Sequence, residues 1–74
     1  MPPFKVNVYY RSLNTPDLCI LIHKFTKRAP KEFQIYVNWY RFDERALKWA
    51  SLGIDQDIVV NHDTFNKEWR ELDL

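Results

Sequence analysis

The 74-residue sequence predicts a single α+β domain, built as a three-stranded antiparallel meander followed by a helix, a short strand or extended segment, and a C-terminal helix. Two stretches, residues 4–11 and 33–41, alternate apolar and polar side chains with the period of half-buried strands. After Phe42 the spacing becomes helical, opened by Asp43 and closed by Gly53, the only glycine. With 46% hydrophobic and 16% aromatic residues and no low-complexity tract, the chain has the composition of one folded domain rather than a disordered segment.

In the first strand, Phe4, Val6, Val8 and Tyr10 share one face, with Lys5, Asn7, Tyr9 and Arg11 on the other. The turn-forming run Ser12 to Asp17 follows as a loop. Leu18 to Phe25 is apolar on both parities, which suits a central strand. A helix is the rival reading, because Thr15 and Pro16 could cap it and Leu18, Leu21, Ile22 and Phe25 share a helical face. Thr26 to Glu32 is polar and interrupted by Pro30, so it reads as a basic hairpin loop. Phe33 to Arg41 is the third strand, rich in the aromatic and β-branched residues that strands prefer.

Asp43 is placed as an N-cap, with Phe42 and Leu47 spaced as a hydrophobic staple; Trp49 then points into the core and Gly53 supplies a left-handed stop. Asp55 to Asp57 reads as a turn and Ile58 to Val60 as a short strand. Beyond Asn61 or Asp63 as a cap, Phe65, Trp69 and Leu72 recur at the spacing of an amphipathic helix.

The chemistry-bearing residues are sparse. Cys19 sits inside the run Leu18 to Ile22 and reads as a buried, inert thiol; one cysteine cannot form an internal disulfide, which points to a reducing, cytoplasmic location. On a strand, His23 would lie about 13 Å from Cys19, too far for a catalytic dyad. Two histidines and one cysteine do not make a zinc set, and Asp55 and Asp57 lack the glycine and glutamate of a calcium loop. A single glycine excludes phosphate-cradling loops. The sequence therefore predicts no enzyme, no cofactor and no metal. The longest apolar run is five residues and the N-terminus lacks an apolar core, so neither a membrane span nor a secretion signal is expected.

Charge is divided along the chain. Residues 1–42 carry seven Lys/Arg against two acids, a balance of +5; residues 43–74 carry four against eight, a balance of −4. Such asymmetry fits a charge-steered contact, or a nucleic-acid face backed by an acidic one. It also fits halves that neutralise each other in the fold.

The one constellation above background is a surface. The meander places Tyr9 and Arg11 on the same sheet face as Tyr36 and Tyr40, with Lys24, Lys27, Arg28 and Lys31 extending the positive region at one end. Three uses are open: a face covered by the second helix, a protein-binding face, or a nucleic-acid face. The acidic second half and a pI near 7.9 argue against autonomous binding of duplexes. The expectation is a small regulatory or adaptor protein that binds a larger protein, a component of nucleic-acid machinery such as transcription, through Tyr9, Arg11, Lys24, Lys27, Arg28, Lys31, Tyr36 and Tyr40. Direct nucleic-acid binding is the alternative, and a homodimer formed through the tyrosine face is also open.

Overall fold

The computed structural model describes residues 1–73, and in it the chain is almost entirely antiparallel sheet. Five strands, β1 (Tyr9–Ser12), β2 (Leu18–Ala29), β3 (Glu32–Asp43), β4 (Lys48–Asn61) and β5 (Trp69–Leu72), lie in the spatial order β4-β3-β2-β1-β5. A single helical turn, α1 (Phe65–Glu68), precedes β5. The α+β expectation is thus corrected to a nearly all-β domain.

The helix expected after Asp43 is instead the turn and return strand of a β-hairpin. Asp43 does cap backbone donors: its Oδ1 accepts from the N–H of Arg45 at 3.0 Å and of Ala46 at 3.3 Å. Those bonds open a four-residue loop that Leu47 closes at φ 53°, and the chain then pairs with β3 as far as Asn61. An Asx-type turn and a helix N-cap use the same side-chain geometry, so the local signal could not separate them. Gly53 is likewise needed for a positive φ, of 116°, but in a bulge: Trp39 pairs with Gly53 and Tyr40 with Ser51, leaving Leu52 unmatched. Trp49 does not enter the core; it packs edge-on against Phe42 across the hairpin, with ring centroids 5.4 Å apart. Ile58 to Val60, expected as a short separate strand, is the end of β4.

The expected C-terminal helix is reduced to one turn. Its anchor Phe65 is fully buried, yet Trp69 is already extended and begins β5, which pairs with the free edge of β1. Covering that edge satisfies backbone groups that a longer helix would leave open. Asn61 turns the chain through an Oδ1 that accepts from Asp63 N–H at 2.7 Å, and no side chain caps α1.

Leu18 to Phe25 is strand, and β2 continues to Ala29 through the stretch expected to be loop. Only Pro30 and Lys31 turn the hairpin, with Pro30 supplying the fixed φ of a turn. At the N-terminus the expected strand shortens. Asn7 takes φ 62° and its N–H donates to the Ile22 carbonyl at 2.6 Å, so regular pairing begins at Tyr9.

The core lies on one face of the sheet. Tyr10, Ile20 and Trp39 form one cross-strand row and Ile22 with Val37 another, while Phe33 pairs with Val60. Phe4, from the N-terminal segment, and Phe65, from α1, close over them; Phe4 meets Phe25, Phe33 and Phe65 at centroid distances of 5.2, 5.7 and 5.4 Å. The Tyr10 hydroxyl accepts from Lys5 N–H at 2.8 Å, and burial raises its pKa. Among the described residues all five strands belong to this sheet and the one helix, through Phe65, lies on the core side, so no strand or helix covers the other face.

Candidate functional site

The uncovered face is where the sequence-selected tyrosines gather. Cross-strand partners share a face, and strand register supplies two full rows: Arg70, Arg11, Cys19, Tyr40 and Ser51, then Leu72, Tyr9, Leu21, Asn38 and Ile54. Tyr36 points the same way, between the fully buried Ile35 and Val37 that face the core. Phe42 and Trp49 carry the aromatic character along the protruding end of the β3–β4 hairpin.

The face is internally organised. Tyr9 and Tyr40 meet edge to face with centroids 5.6 Å apart, and His23 meets Tyr36 in the same way at 5.6 Å. Lys24 Nζ lies 5.2 Å from the centre of the Tyr36 ring, a cation–π contact. Ser51 Oγ donates to Asn38 Oδ1 at 3.0 Å, and Asn38 Nδ2 donates to the Tyr40 hydroxyl at 3.1 Å. Burial raises the Tyr40 pKa, with the Tyr9 phenol beside it adding to the effect. Beneath these groups Cys19 is fully buried, and burial pushes its thiol up to about 11 despite the nearby Arg11 cation. At neutral pH the thiol is protonated and poorly nucleophilic.

Charge on this face is mostly positive. Among the register-paired strand residues facing this side, the cations are Arg11, Arg70 and Lys24, and the one carboxylate, Glu32, lies at the far end beside the β2–β3 turn. Glu71 pairs with Tyr10 and Asp55 with Val37, which sets both on the core side of the sheet. These two acids of the second half are therefore folded away from the tyrosines.

Five of the eight sequence-selected residues, Tyr9, Arg11, Lys24, Tyr36 and Tyr40, share the open face. The other three do not join them. Lys27 pairs with Phe33 on the core side, Arg28 falls in a bulge, and Lys31 sits in the hairpin turn bonded to Asp63 at 2.8 Å. Lys5 and Asn7, expected on the tyrosine face, lie before the first strand. Sequence reasoning missed Arg70, Leu72, Ser51 and Trp49, because all four were placed in helices; the β-branched run at residues 58–60 was the available hint that residues 48–61 are strand.

Among the described residues no group of three or more His, Cys, Asp or Glu side chains could hold a metal ion, and no helix is long and apolar enough to cross a membrane. No family model, curated protein or solved structure matches this chain.

Proposed function

We propose that this protein is a non-enzymatic regulatory or adaptor module that docks a larger protein partner, a component of nucleic-acid machinery such as transcription, through the uncovered face of its sheet. The carrying observation is that one face of a five-stranded sheet is covered by no strand or helix among the described residues while holding Tyr9, Tyr36 and Tyr40 in ordered ring contacts. Tyrosine, tryptophan and arginine are the residue types that dominate interface energetics. Rings and amides already held in one arrangement lose little entropy on docking. The assignment to nucleic-acid machinery rests on the charge asymmetry of the chain alone.

Direct nucleic-acid binding is the second reading, and the cations Arg11, Lys24 and Arg70 beside the tyrosine rings favour it. Aromatic rings beside cations can stack bases at about 1–3 kcal/mol each. The two readings separate in affinity purification from an extract of the source cells with and without nuclease. A protein partner should survive nuclease and weaken by about 2 kcal/mol in Tyr36→Ala or Tyr40→Ala. Loss of every partner with nuclease, together with DNA binding by the isolated protein at ~100 mM salt, would reverse the order.

A further inference from the structure

Arg11 and Arg70 are register partners across the β1–β5 ladder, so two arginine side chains leave the open face from directly opposed positions. Directly opposed residues in an antiparallel ladder sit about 4.5–5.5 Å apart, and like charges there destabilise the pairing. Neither arginine has an ion-pair partner among the described residues, whose salt bridges are Lys31–Asp63, Arg41–Asp17 and His62–Asp63. Arg11 is further held in place, since its Nε donates to the Pro16 carbonyl at 2.6 Å. Two opposed, unneutralised arginines, one of them held, are unfavourable for the fold alone and favourable for an oxyanion ligand.

The surroundings narrow the ligand. Next to the pair runs the row Leu72, Tyr9, Leu21, Asn38 and Ile54, which is uncharged and largely apolar. The remaining cation of the face, Lys24, lies against the Tyr36 ring. A nucleic-acid strand carries a charge every ~3.4 Å and is tracked by a row of cations, which this face lacks. A carboxylate on an otherwise apolar chain matches it better. Resting on the docking surface described above, we propose that Arg11 and Arg70 together clamp an Asp or Glu carboxylate of an extended segment of the partner protein, whose flanking apolar side chains settle on Tyr9, Leu21 and Leu72.

The test selects peptides from a random twelve-residue library on the intact protein and measures the synthesised winners by fluorescence anisotropy. Expected are winners enriched in Asp or Glu beside apolar residues, weakened roughly ten- to hundredfold by Arg11→Gln or Arg70→Gln. Arg70→Gln should melt no lower than the parent at low salt, because it relieves the like-charge contact; a lower midpoint would mark Arg70 as structural and overturn the proposal. Winners without acidic enrichment, sensitive to Tyr9→Ala or Tyr40→Ala but not to the arginines, would overturn the clamp and leave the docking surface standing. Winners indifferent to tyrosine and arginine variants alike would overturn both. Binding of a random-sequence single-stranded DNA at ~100 mM salt that the arginine variants abolish would assign the pair to phosphate instead. A self-associated dimer that Arg70→Gln dissociates would assign it to a second copy of this chain.

Discussion

Truncating Phe65 to alanine tests whether a single helical turn can close one side of this sheet. The side chain is fully buried, with the rings of Phe4, Tyr10 and Trp69 at centroid distances of 5.4, 5.1 and 6.5 Å. Deleting a buried phenylalanine costs about 3–5 kcal/mol, and the upper half of that range applies where the cavity cannot collapse. Here collapse is resisted, because Phe4 is also braced by Phe25 and Phe33. A domain of this length has about 4–11 kcal/mol in total, so Phe65→Ala removes a third or more of its stability. Urea unfolding followed by tryptophan fluorescence should show a large fall in the midpoint with little change in slope. A loss below ~1 kcal/mol would refute the reasoning, since it would mean that Phe65 is not part of the core.

Three further outcomes follow from local geometry. Gly53→Ala should cost about 1–2 kcal/mol from backbone strain alone, because φ is 116° and an added Cβ meets nothing within 4 Å; chemical denaturation measures it, and a neutral result would exclude the bulge. Cys19 should react slowly with a thiol reagent in native buffer, reaching full labelling only on unfolding; rapid native labelling would contradict its burial. Stability should also fall at alkaline pH. The folded thiol, at about 11 against an ordinary 9.0, keeps a proton that the unfolded chain releases, so its contribution is complete below about pH 9 and lost as pH rises through about 11; the raised Tyr10 and Tyr40 phenols act in the same direction. Urea midpoints from pH 8 to 11 should decline, less steeply in Cys19→Ala; a flat profile would contradict the burial of these groups.

The legible part of the fold was that in which the local period and the long-range pairing agree. Phe33 to Arg41 alternates strictly, and it is the middle of β3 with Ile35 and Val37 fully buried. The tyrosine face followed from that alternation, since Tyr36 and Tyr40 must oppose Ile35 and Val37. Residues 43–53 were misread because each local device there serves two structures. Asp43 caps a turn as well as a helix, and Gly53 with its positive φ can end a helix or sit in a bulge. What decided the matter is non-local: eleven residues of β3 pair with β4, a ladder that no window of sequence contains. The C-terminal segment failed similarly. Phe65 and Trp69 do stack, with centroids 6.5 Å apart, but the open edge of β1 recruits Trp69 to Leu72 as a strand. Arg70 could not have been matched with Arg11 before that pairing was known.

The central claim is that the uncovered sheet face is the docking surface, and site-specific photocrosslinking in an extract of the source cells tests it most directly. A benzoylphenylalanine placed at Tyr36, on the open face, and another at Asn66, exposed on α1, give matched probes. The expected result is a nuclease-resistant protein adduct from position 36 and none from position 66. An adduct from position 66 alone, or one from position 36 that nuclease removes, would contradict the account.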